Sequence, residues 1–133
     1  MMKLLKYLAV ASLFILSLQA STLKHADSYK DALEQGVKEN KHVILFAHSP
    51  FCPWCRKMEE ETLSNEKVIK LLNEKYIFIS VDMSLSMDIE DVPPRFLPRG
   101  TPTTYVIDPA TGEGLFTMRG FKSPKSFLWR LEK

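Results

Sequence analysis

Apolar residues in this chain fall either in short unbroken runs or at every third or fourth position, and the two patterns alternate, which predicts strands interleaved with helices. Val43-Ile44-Leu45-Phe46-Ala47 is apolar throughout, as expected of a strand covered on both faces and therefore central in its sheet. Tyr76-Ile77-Phe78-Ile79-Ser80-Val81, ending at Asp82, reads as a second strand and Thr103-Thr104-Tyr105-Val106-Ile107 as a third. Residues 115 to 121 make a fourth, joined to the third through the turn Asp108-Pro109-Ala110-Thr111-Gly112.

Helical spacing fills the intervals. Ser28 is placed to cap a first helix reaching about residue 40, with Tyr29, Ala32, Leu33 and Val37 near one face and Gly36 weakening its interior. A helix opening at Pro53 runs through Glu61, and a polar break at residues 62 to 65 lets Ser64 or Asn65 cap a second segment carrying Val68, Ile69, Leu71 and Leu72. Residues 83 to 100 are irregular, with at most a helical turn over 88 to 92 before Pro93, Pro94 and Pro98. Ser123-Pro124 starts a final helix packed through Phe127, Leu128 and Leu131. Helices alternating with strands at these spacings imply crossover units and a partly parallel sheet in an α/β fold.

The first twenty residues stand apart. Lys3 and Lys6 precede an apolar run over residues 7 to 18, and small residues follow up to Ala20, the pattern of a secretory signal cleaved after Ala20. An uncleaved anchor needs about 20 apolar residues, more than this run supplies. Residues 21 to 133 are then one mature domain, with 21 to 27 a loose lead-in, and the expected location is the periplasm. At 133 residues and 45% hydrophobic content the chain can bury a core. Without Lys3 and Lys6 it carries 16 basic against 16 acidic residues, so it lacks the basic excess of a nucleic-acid binder, and no nucleic acid is expected as partner.

The only two cysteines, Cys52 and Cys55, lie where the first strand gives way to a helix. Two thiols at that spacing can cycle between dithiol and disulfide with little backbone movement. A helix N-terminus favours thiolate over thiol, so Cys52 at the cap is the expected attacking sulfur and Cys55, one turn further in, the resolving one. A structural staple over so short a loop would constrain the unfolded chain little. A zinc site would need further ligands from His25, His42 and His48; a metal-delivery module is the competing class. Met83 and Met87 are a weak copper signal beside their use as core filling.

The order of elements, Cys52-Pro53-Trp54-Cys55 on the helix after a central strand, and Gly100-Thr101-Pro102-Thr103 before a late strand resemble the thioredoxin-like superfamily over nearly all of residues 28 to 131. Within it the chain is similar to small secreted thioredoxins such as SoxW-type proteins and the C-terminal domain of DsbD. The resemblance implies a thioredoxin fold, a central mixed β-sheet flanked by α-helices, with a redox-active Cys52–Cys55 disulfide. It also implies a cis Pro102 whose loop faces the cysteines, with Thr101 holding a substrate segment beside Cys52. The expected activity is a thiol:disulfide oxidoreductase, a monomer without cofactor or metal, that reduces protein disulfides and is recharged by a membrane thiol donor. An oxidase or isomerase at the same site is the alternative.

Two departures from the family pattern bear on mechanism. The dipeptide between the cysteines is Pro-Trp, and no acid lies within residues 43 to 47, where thioredoxins usually carry a buried one. His48 and Glu59 are candidates for proton transfer to and from Cys55 by proximity, each with solvated surface as its plainer reading. Trp54 is expected to offer apolar surface to protein substrates, while Phe51 fits either that platform or the core beneath the loop.

Overall fold

The computed structural model describes residues 21–133, and the expected signal segment lies outside them. Four strands, β1 (His42–His48), β2 (Tyr76–Asp82), β3 (Thr103–Ile107) and β4 (Gly114–Arg119), form one sheet in the order β2-β1-β3-β4. β1 runs parallel to β2 and antiparallel to β3, and β3 runs antiparallel to β4. The mixed sheet is therefore built around β1, whose Val43–Ala47 core is buried from end to end. Residues that are apolar on both faces have no solvated side to offer, which is why this run takes an interior position.

Helices cover both faces. On one, α1 (Tyr29–Glu39) packs Tyr29 and Ala32 against Val43, Leu45, Ile77 and Ile107, and the segment carrying Val92 and Phe96 closes the cluster. On the other, α2 (Pro53–Lys57) with the turn that continues it, α3 (Glu66–Lys75) and α5 (Pro124–Leu131) deliver Met58, Val68, Leu72 and Phe127 onto Ile44, Phe46, Phe78 and Val106. The caps follow the sequence: Ser28, Asn65 and Ser123 each accept N–H groups of the first turn.

Several expectations are corrected. Val37 is exposed, and Gly36 takes its place on the inner face of α1. A Cβ at Gly36 would stand 2.7 Å from the Pro109 Cβ and 2.8 Å from the Lys41 carbonyl oxygen, so the glycine is a close approach and not merely a weak helical residue. The lead-in is tied down: the Ala26 N–H donates to the Phe78 carbonyl on the outer edge of β2, and Asn73 accepts from the Lys24 N–H. The helical turn of the irregular stretch, α4 (Ser86–Ile89), starts earlier than expected, and a short 3-10 turn follows at Pro94–Phe96. β4 ends at Arg119, because Gly120 turns the chain at φ +74° and gives its N–H to the Pro102 carbonyl.

Beyond Lys57 the helix widens into a π-type turn, Met58–Thr62. The Thr62 hydroxyl donates to the Lys122 carbonyl at 2.5 Å and the Met58 Sδ accepts from the Lys122 N–H at 3.5 Å. The widened turn thus fastens the cysteine helix to the segment after β4. Among the described residues no helix is long and apolar enough to cross a membrane.

Candidate active site

β1 and β2 are parallel, so both end at the same edge of the sheet, and antiparallel β3 begins there. That edge receives the cysteines from the loop after β1 and the Thr101–Pro102 segment from the loop before β3. Cys52 is the cap residue of α2: its Sγ accepts from the Cys55 N–H at 3.2 Å, and its carbonyl accepts from Arg56 at 3.1 Å. Pro53 fills the first helical position, where no N–H is needed. The two sulfurs are joined in a disulfide with Cα atoms 5.2 Å apart. Cys55 is only 2% exposed, whereas Cys52 is partly open.

Thr101 faces Cys52 across the site, its hydroxyl 3.5 Å and its carbonyl oxygen 3.6 Å from Sγ, and the Thr101–Pro102 peptide bond is cis. The Ser49 hydroxyl lies 2.7 Å from the Thr101 hydroxyl. With Ser49 donating to Thr101 and Thr101 to the sulfur, the two hydroxyls form a chain ending on Cys52. No local pattern in the chain points to Ser49, since 52 residues separate it from Thr101.

Phe51 is 97% exposed with φ +58°, so the core reading of this residue is corrected. Left-handed backbone at a bulky residue is unfavourable, and it holds the ring out beside the sulfurs. Trp54 is 57% exposed, its ring 6.1 Å from Phe121 with the Lys57 ammonium over both rings.

A cavity of about 240 Å³ opens beside the cysteines, lined by Cys55, His48, Glu59, Arg56 and Asp82 among others. His48 Nδ1 and Glu59 Oε1 are 3.9 Å apart, so both sequence-derived candidates reach the same space. Asp82 joins them because β1 and β2 pair His48 with Asp82 in register. The side-chain and backbone donors of Ser84 hold the Asp82 carboxyl below its ordinary range, with His48 adding to the effect. Both strands are seven residues long and end on polar side chains; aligning those ends was the signal that could have found Asp82. Among the described residues no group of three or more His, Cys, Asp and Glu side chains is placed to hold a metal ion.

A mixed four-stranded sheet flanked by helices, presenting a cysteine pair at the start of a helix, defines a thiol:disulfide oxidoreductase of thioredoxin architecture. Residues 29–133 match the thioredoxin-like domain family, and the chain belongs to it. Spermatogenesis-associated protein 20 of Mus musculus is 38% identical over 63 residues, 47% of this chain but 8% of that protein, so the chain spans less than a tenth of this curated relative's length. DsbH oxidoreductase superposes with a TM-score of 0.73 at 20% identity, covering 87% of this chain and 86% of that one. The oxidised C-terminal domain of Neisseria meningitidis DsbD gives 0.62 at 24% identity, covering 81% and 96%.

Proposed function

We propose that the protein is a periplasmic reductase of protein disulfides, secreted after cleavage behind Ala20 and recharged by a membrane thiol donor. One contrast carries the reading: Cys52 is open to the edge of the sheet beside exposed Phe51 and Trp54, while Cys55 is sealed behind it. A small-molecule enzyme has no need of exposed aromatic rings around its reacting atom, whereas a protein substrate has apolar surface to lay on them. The periplasmic setting rests on the basic and apolar pattern of the first twenty residues.

In the proposed cycle the Cys52 thiolate attacks a substrate disulfide. A Cys52–substrate bond forms as the substrate bond breaks, and the first substrate sulfur leaves and takes a proton. Cys55 loses its proton towards the His48–Glu59 cavity and attacks Cys52, closing the protein disulfide and releasing the second substrate thiol. Two electrons and two protons have then passed to the substrate. Thr101 offers a hydroxyl to the attacking sulfur and main-chain groups to an extended substrate, and Trp54 its apolar surface. Asp82 is committed to its turn through Ser84 and acts by charge on His48.

The test is disulfide trapping. Cys55→Ser is expected to accumulate mixed disulfides with partner proteins and Cys52→Ser to accumulate none; equal trapping refutes the assignment of the two sulfurs. Direction is read from equilibration against glutathione. A midpoint near the reducing end of the range of about −270 to −120 mV supports reduction, and one near the oxidising end overturns it in favour of an oxidase.

A further inference from the structure

A second cavity, of about 410 Å³, lies beside Thr101–Pro102, and its wall includes Arg99, Arg119 and Tyr105 over the backbone of Gly100 and Gly120. The two arginines arrive from different elements. Arg99 comes from the loop before β3, and Arg119 is the last residue of β4, paired in register with Thr103. The hydrogen bond from Gly120 N–H to the Pro102 carbonyl, at 2.8 Å, holds the two arms together. Neither guanidinium has a carboxylate partner among the described residues, and no acidic side chain lines the cavity. A Cβ at Gly100 or Gly120 would meet nothing within 4 Å, so the floor is open. Burial raises the Tyr105 hydroxyl while the Arg119 charge opposes it, and both residues line the cavity.

Two arginines lining one cavity that holds no acidic side chain suit an incoming carboxylate, which matches the planar guanidinium fork. Thr101 belongs to the wall of this cavity and also touches Cys52 Sγ at 3.5 Å. A residue bound there is thus within a residue or two of the reacting sulfur along an extended chain. The cavity that contains Cys55 offers a carboxylate a less favourable lining, because Glu59 and Asp82 stand there beside Arg56 and His48.

We propose that the Arg99–Arg119 cavity is a specificity subsite that takes the acidic side chain of a substrate polypeptide near its disulfide-bonded cysteine. The proposal rests on the reading of the protein as a reductase of protein disulfides. It adds a preference among such disulfides and fixes the direction in which the substrate chain crosses Cys52, acidic flank towards Arg99 and Arg119.

The experiment uses the reduced protein and disulfide-linked homodimers of short single-cysteine peptides that differ only in carrying Glu, Gln or Lys at the positions flanking the cysteine. The readout is the second-order rate of peptide-thiol release. The expected order is Glu, Gln, Lys, with Glu over Gln by about threefold to tenfold, the scale of one or two partly exposed charge pairs. The ratio should approach one in the double variant R99Q/R119Q and invert towards Lys in R99E/R119E, an inversion that general loss of folding cannot produce. Equal rates for the Glu and Gln peptides, or a preference that survives in R99Q/R119Q, overturn the subsite and leave the reductase reading standing. Failure to reduce any of the peptides refutes the reductase reading itself. If oxidised glutathione responds to the arginine variants as strongly as the Glu peptide does, the carboxylate belongs to a small thiol and the polypeptide assignment falls.

Discussion

Thr101→Val tests the hydroxyl chain on Cys52 with little change of shape. The Thr101 hydroxyl stands between Ser49, at 2.7 Å, and Cys52 Sγ, at 3.5 Å. A hydrogen bond to a charged group is worth about 1.5–3 kcal/mol. Because this one is long and partly solvated, the lower value applies, equivalent to about tenfold in the balance of thiol and thiolate. Basicity and nucleophilicity rise together with a coefficient of about 0.4–0.5. In the variant the thiolate is therefore about tenfold scarcer at low pH but about threefold more reactive per molecule. Alkylation of Cys52 in the reduced protein should be about threefold slower than in the parent on the acidic limb of the pH–rate profile. On the alkaline plateau, where all of the sulfur is ionised, it should be about threefold faster. The two profiles must cross. Uniform slowing across pH would mean that valine merely blocks access, and superimposable profiles would mean that the hydroxyl does not act on the sulfur.

Other consequences follow from single contacts. Gly36→Ala should destabilise the protein by about 1–3 kcal/mol in urea unfolding despite the better helical propensity of alanine, because the new methyl meets Pro109 and Lys41 below 3.0 Å. Phe51→Gly should relieve left-handed backbone worth about 1 kcal/mol and raise the unfolding midpoint, while lowering kcat/KM for protein disulfides; a fall in both quantities would refute the separation. The Asp82 carboxyl is held below the ordinary carboxylate range by the hydrogen bonds from Ser84. Its folded pKa is thus below the unfolded one, so its contribution is complete above the unfolded pKa and is lost as pH falls through the folded value. Asp82→Asn should accordingly lower stability at pH 6 and flatten the loss of stability below pH 4, followed by urea midpoints across that range.

What the sequence made legible was local or periodic. Val43–Ala47, the caps at Ser28, Asn65 and Ser123, and the cysteine pair behind Pro53 each declare themselves within a few residues, because strand burial, capping and helix initiation are set by near neighbours. The remainder depends on which distant segments meet. Ser49 reaches Thr101 only because β1 and β3 are antiparallel neighbours, and Arg99 comes near Arg119 only because β4 returns alongside β3. Val37 and Gly36 show the same limit on a smaller scale. Helical spacing places both near the inner face of α1, and it is the Pro109 turn pressing on the helix that selects the residue without a side chain.

The absence of an acid within β1 has a structural reason once the sheet is known. Every residue from Val43 to Ala47 is at most 1% exposed. A carboxylate among them would be desolvated on both faces of the sheet, at a cost of several kcal/mol unless paired. At His48 the burial ends: β1 leaves the core, β2 ends opposite it at Asp82, and the cavity beside Cys55 admits polar side chains. In the proposed cycle the proton of Cys55 therefore leaves along the edge of the sheet through His48 and Glu59, not through its interior. A path along that edge leaves the core of β1 free to be wholly apolar. The chemistry is thus concentrated in the loops at one end of the sheet, with His48, Arg56, Glu59 and Asp82 around the cavity at Cys55 and Arg99 and Arg119 around the one at Thr101.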